Sequence, residues 1–124
     1  MKTNLVILML IACTSSQAAE GAFESAGALY KYMTGTDIAE RLRGWYSGYA
    51  FGYVVGIADA QDGIRNPDTG YCFDLPAGVN KGQVFQRVRE HLEKHPESRR
   101  ESAESLVQQA LDQAFPCAKT RPRT

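Results

Sequence analysis

Net charge is the first thing this chain lacks: 14 lysines and arginines balance 14 acidic residues among 124. Without a basic excess there is no electrostatic footprint for nucleic-acid phosphates, so no nucleic-acid partner is expected. Histidine is nearly absent, and the two present, His91 and His95, stand four apart. On a helix they could share a metal. The zinc-protease pattern, however, needs glutamate directly after the first histidine, and that position is Leu92. Two histidines near a helix C-terminus are favoured by the dipole alone, so no metal is expected. A glycine-rich phosphate loop followed by Lys-Ser/Thr is missing, as is a nucleophile elbow. No catalytic residue and no cofactor are therefore assigned. Nor is there a long apolar run after the first twenty residues. The uncharged stretch 44–58 contains three tyrosines and falls short of the ~20 residues that span a bilayer.

What is present begins with an export leader. Lys2 supplies a positive start, residues 5–12 an apolar run, and Ser16-Gln17-Ala18 a small-x-small cleavage site. Cleavage after Ala18 or Ala19 leaves a mature chain of about 105 residues. The expected division is residues 1–18 as signal peptide, 19–117 as one helical domain and 118–124 as a disordered tail. The destination is the periplasm. Leu10-Ile11-Ala12-Cys13 offers a competing lipobox, which would anchor the product to a membrane through an acylated Cys13.

The mature chain is organised around residues 37–60, where Gly44, Gly48, Gly52 and Gly56 recur at every fourth position. That step advances a helix by slightly more than one turn and places the glycines on one ridge. Each costs roughly 0.8–1 kcal/mol against alanine inside a helix, about 3–4 kcal/mol together. Close approach of a neighbouring helix is the expected compensation. A methyl group at Gly52 should then overpack, costing roughly 1–3 kcal/mol. Trp45, Tyr49 and Tyr53 form a parallel aromatic row.

Around this helix the pattern predicts three more. Residues 22–33 place Phe23, Ala26, Leu29, Tyr30 and Met33 at helical spacing, and Gly35 stops the run. Asp37 and Glu40 have the spacing of a capping box for the central helix. Asn80 with Gln83 caps a third helix striped by Val84, Val88 and Leu92, which Pro96 ends. Ser98 with Glu101 predicts the start of a fourth, with Ala103, Leu106, Val107, Ala110, Leu111, Ala114 and Phe115 inward. Between the second and third lies a long irregular segment, 61–79, with the turn sequence Asn66-Pro67-Asp68-Thr69-Gly70. Its acidic residues, Asp59 and Asp62 beside it included, do not alternate as a calcium loop requires. No strand pair is indicated. The expected class is all-α: a small four- to five-helix domain with a long pinned loop and one disulfide.

Once the leader is removed, Cys72 and Cys117 are the two cysteines left in an oxidising compartment, and a Cys72–Cys117 disulfide follows. It would consume the thiol that a reactive-cysteine reading needs.

Residues 52–60 (GYVVGIADA), 71–79 (YCFDLPAGV), Gly82-Gln83, His95-Pro96-Glu97 and Ala114-Phe115-Pro116-Cys117, taken in order, resemble the Rap/Tai immunity proteins of bacterial type VI secretion. The resemblance runs from about Ala22 to Cys117. It implies a small all-helical periplasmic protein, commonly a homodimer. Its implied partner is a peptidoglycan-cleaving cysteine–histidine amidase delivered by neighbouring cells, whose active site it blocks. Family members carry two further cysteines, at the positions of Tyr32 and Ala50 here. An inhibitor of a cleft needs a projecting, constrained segment, and the 61–79 loop is the candidate, with Arg65, Asn66, Asp68 and Tyr71 as partner-binding side chains. An alternative on the same scaffold is a general periplasmic binding or envelope-stress, chaperone-like protein.

Overall fold

Residues 25–118 are described by a computed structural model of the chain. The predicted leader with Cys13, Ala18 and Ala19, residues 22–24 of the first predicted helix and the predicted tail beyond 118 lie outside the described residues.

Helix α1 spans Ala26–Thr34. The Ser25 hydroxyl accepts the Ala28 N–H at its start, and Gly35, at φ 73°, donates its N–H to the Lys31 carbonyl at its end. The long helix α2 spans Glu40–Gln61 and begins later than the capping-box spacing predicts. Asp37 is at φ 59°, whereas an N-cap needs extended backbone to aim its carboxylate at the first turn. Ala39 occupies the cap with no side-chain bond. Asp37 instead turns the chain between α1 and α2, and Glu40 remains a favourable charge at the helix N-terminus.

Helix α3, Lys81–Lys94, has the full capping box: Asn80 Oδ1 accepts the Gln83 N–H and Gln83 Oε1 accepts the Asn80 N–H, both at 2.9 Å. Beyond Pro96 the fourth helix does not start at Ser98. A 3₁₀ helix, Pro96–Arg100, intervenes, and α4 spans Ala103–Ala114 with Ser102 as its cap. Arg99 holds this turn in place. Its guanidinium donates twice to the Leu92 carbonyl, at 3.1 and 3.3 Å, and lies 4.0 Å above the Tyr30 ring. Glu101 accepts the Ala26 N–H at 2.8 Å, which ties the turn to α1. Gly27 permits that approach, because a Cβ there would sit 3.2 Å from the Arg99 carbonyl oxygen.

The core gathers Leu29, Met33, Val54, Val88, Leu92, Leu106, Val107 and Leu111 around Phe73 from the loop. Of the predicted inward residues of α4, Ala114 is exposed and Phe115 half-buried. The class is all-α, with four α-helices among the described residues and a Cys72–Cys117 disulfide. An isolated antiparallel bridge joins Phe73 to Pro116 beside it. No described helix is long and apolar enough to cross a membrane.

The glycine ridge requires a correction. Gly44, Gly48, Gly52 and Gly56 face outward, and among the described residues a Cβ built on any of them meets no heavy atom within 4 Å. The stripe that α2 buries is Ala50, Val54 and Ala58. That row also steps by four, two residues out of phase with the glycines and so about 200° around the helix. Both rows are made of small residues, and the row with more methyl groups won the core. Beside the ridge, Trp45 is 66% and Tyr49 42% exposed, their rings stacked at 5.7 Å. Tyr53 faces inward far enough that burial raises its hydroxyl above the ordinary tyrosine range. Tyr32 on α1 meets Tyr46 at 4.6 Å and Tyr49 at 6.4 Å. Aromatic rings thus join α1 to α2 at Tyr32.

Candidate partner-binding loop

The segment after α2 leaves and returns to the domain as a narrow double strand of backbone. Asp62 Oδ1 accepts the Leu75 N–H at 2.8 Å and the Gly63 N–H donates to the Phe73 carbonyl at 2.8 Å. Further out, the Asn66 N–H donates to the Tyr71 carbonyl and the Gly70 N–H to the Asn66 carbonyl. The Asn66 side-chain oxygen accepts the N–H groups of Asp68 and Thr69, at 2.8 and 3.3 Å. This is the turn chemistry that Asn-Pro-Asp encodes.

Anchors on α4 and in the segment just after it fix the returning strand. The Cys72 N–H donates to Asp112 Oδ1, the Asp74 N–H to the Phe115 carbonyl, and the Cys117 N–H to the Cys72 carbonyl. Phe73, 1% exposed, plugs into the core between the disulfide and Asp74. A second tether comes from a residue the sequence pattern does not flag. Gln108 on α4 is 3% exposed, accepts the Asn66 Nδ2–H at 2.7 Å and donates to Glu104 at 3.3 Å.

The four side chains named from sequence separate into two kinds. Asn66 is half-buried and engaged at both ends of its amide. Arg65 is exposed; one guanidinium nitrogen donates to the Gly70 carbonyl at 2.7 Å, and the rest of the fork faces outward. Asp68 is exposed at the tip, and Tyr71 is half-buried on the returning strand. Sequence reasoning missed Ile64, which is 58% exposed next to Arg65. Its signal was legible: it is the single large aliphatic residue between Gln61 and Tyr71. The tip thus presents an apolar side chain, a guanidinium and a carboxylate on a braced turn.

His91 and His95 do come together, with ring centroids 4.5 Å apart. His95 Nδ1 lies 3.1 Å from the Glu97 carboxylate, while His91 is buried with its Nε2 atom lacking a hydrogen-bond partner. Burial, with the neighbouring His95, keeps the His91 imidazole below its ordinary titration range. Glu97 is held below the usual carboxylate range by its own backbone N–H and by His95. No group of three metal-ligating side chains occurs among the described residues.

A short all-helical domain, braced by one disulfide and presenting a polar-tipped loop, has the form of a binding module. Comparison with curated proteins gives no match. Comparison with family models does: the model described as Rap1a immunity proteins matches residues 8–117. The match takes in all four α-helices, the loop and both bridging cysteines, and the chain belongs to the Rap1a immunity protein family.

Proposed function

We propose that the chain is a periplasmic immunity protein that binds a type VI secretion peptidoglycan amidase and blocks its active site with the 62–75 loop, acting as a homodimer. Membership of an immunity family implies a protein effector as partner and inhibition in place of catalysis. The leader residues 1–18 support export, since an amidase acting on peptidoglycan is met in that compartment. The observation that carries the loop assignment is its bracing. Its two ends are tied by Asp62–Leu75 and Cys72–Cys117, and its turn by Asn66. A segment ordered before contact loses less entropy on binding. Ile64, Arg65 and Asp68 extend from it, with Tyr71 half-buried on the returning strand opposite Asn66.

The test is to titrate type VI cysteine–histidine amidases with wild type and, for one that binds, with Arg65→Ala and Tyr71→Ala. Helix content is first matched by circular dichroism. Loss of an anchor of this kind weakens binding by about tenfold. If both variants bind within about twofold of wild type, the loop is not the inhibitory element and the exposed face of α3 takes its place.

A further inference from the structure

The loop is tied to α4 by more than the bonds at its own residues. Glu104, in the first turn of α4, accepts with a single oxygen from two side-chain amides. Gln61 Nε2 donates to that oxygen at 3.1 Å and Gln108 Nε2 at 3.3 Å. Gln61 is the last residue of α2, where the loop departs. Gln108 in turn accepts from Asn66 Nδ2 at 2.7 Å, and Asn66 Oδ1 accepts the N–H groups of Asp68 and Thr69. Both ends of this relay have a polarity fixed by chemistry, because a carboxylate accepts and a backbone N–H donates. The two amides between them can each take two orientations, and one combination alone satisfies every partner. Turning the Gln108 amide over would set its NH2 against that of Asn66, where Gln108 is 3% exposed and water does not make good the loss.

We propose that Glu104 is the positioning residue of the loop: its carboxylate sets the orientation of the Gln108 amide and, through Asn66, the conformation of the turn that presents Arg65 and Asp68 to the effector. The turn it sets is the one that aims Arg65. The Gly70 N–H donates to the Asn66 carbonyl, and the Gly70 carbonyl accepts the Arg65 guanidinium at 2.7 Å. Glu104 therefore acts on the tip through two amides, without reaching the tip itself. Its second bond, to Gln61, fixes the point where the chain leaves α2, so one carboxylate oxygen registers the departing arm and the turn against the same helix. The sequence shows Glu104 merely as an acidic residue near a helix N-terminus, a position the helix dipole favours on its own. The effect on the turn stands on the geometry alone, and the effect on inhibition rests on the loop reading above.

Two variants of the mature protein, Glu104→Ala and Glu104→Gln, test this. Both remove the charge, and glutamine alone keeps an acceptor oxygen in place. Glu104 is exposed, so both should fold, and circular dichroism should match wild type. Hydrogen exchange followed by NMR reads the turn at the Asp68 and Thr69 amides. Affinity for a type VI cysteine–histidine amidase that binds wild type reads the function. Glu104→Ala should speed exchange at Asp68 and Thr69 by about fivefold or more and weaken amidase binding by about fivefold. Core amides of α4 should exchange as in wild type, which a general loss of stability would not allow. Glu104→Gln should return both readings to within about twofold of wild type. If Glu104→Ala leaves exchange at the turn unchanged, the proposal falls. It falls equally if Glu104→Gln loosens the turn as much as Glu104→Ala, since charge and not the acceptor would then be acting. If Glu104→Ala loosens the turn while amidase affinity stays at the wild-type value, Glu104 still positions the turn, and it is the loop as inhibitory element that is overturned.

Discussion

Asn66→Ala should be the most informative single change in the loop, because it removes two kinds of interaction with different costs. The first is the bond to Gln108 Oε1 at 2.7 Å. Gln108 is 3% exposed, so its carbonyl would lose its partner where water does not reach, costing about 1–3 kcal/mol. The second is the turn itself. The N–H groups of Asp68 and Thr69 lie at the surface, and water replaces the lost acceptor at the low end of about 0.5–1.5 kcal/mol per bond. The buried term decides the sum, about 2–4 kcal/mol, and lowers the melting temperature by about 10 °C or more. Urea titration of Asn66→Ala, Gln108→Leu and the double variant separates the terms. Gln108→Leu removes the buried amide and frees the Asn66 amide for solvent, so the double variant should recover about 1 kcal/mol relative to additivity. A cost for Asn66→Ala below about 0.5 kcal/mol, or strict additivity, would show that Gln108 does not hold the loop.

Two further outcomes follow from the bridge and from the histidines. Cys72 and Cys117, 45 apart in sequence, close a loop that the chain-entropy relation values at about 4 kcal/mol. Cys117→Ser should therefore cost about 2–5 kcal/mol in chemical denaturation. Non-reducing digestion with mass spectrometry should find the Cys72–Cys117 peptide, and free thiols in folded, oxidised protein would refute the pairing. His91 titrates below its ordinary 6.5 because of burial and of His95 beside it, with Gln109, Gln113 and Glu101 acting the other way. As pH falls through 6.5 the unfolded chain takes up this proton before the folded one does. The stability present above that pH is then lost progressively toward the folded value. His91→Gln should flatten the melting temperature across this range, and parallel curves for the variant and wild type would count against a buried neutral His91.

Much of the fold was written in local pattern. Asn80 with Gln83, Gly35 after α1 and the stripe Val84, Val88 and Leu92 each encode a feature decided within one or two helical turns. The Asn-Pro-Asp-Thr-Gly turn is equally local, and Cys72 with Cys117 are the two cysteines after Cys13. The failures share a different cause. Asp37 and Ser98 have capping-box spacing, but the first takes a left-handed backbone in the turn between α1 and α2, and the second falls in a 3₁₀ helix set by neighbours distant in sequence. For Ser98 the deciding contacts are Arg99 with Leu92 and Tyr30, and Glu101 with Ala26. Gln108 falls on the apolar stripe of α4, where a polar residue reads as a break in pattern, and its partner is 42 residues away. The glycine ridge is the instructive error. Periodicity identifies rows on a helix, but with small residues on two opposite rows it does not say which row faces the core. Gly27, which does sit against backbone, stands alone in sequence and carries no repeat to announce it.

The position of the loop anchors has a consequence for how the loop and the open face of α2 relate. Gln108, Asp112, Phe115 and Cys117, which hold the loop by hydrogen bonds and the disulfide, belong to α4 or to the segment just after it. The open face of α2 contributes to none of them. Its glycines and Trp45 lie on the side of α2 away from Ala50, Val54 and Ala58, which are the residues that touch the core. A substitution on that face lies across the helix from the residues that share the core with Phe73, so it is expected to leave the loop in place. Additivity is expected for such separated sites. Gly52→Leu should then leave the affinity of the chain for the amidase unchanged. If instead that affinity falls, the open face of α2 must supply part of the effector contact, and the loop would be acting beside it.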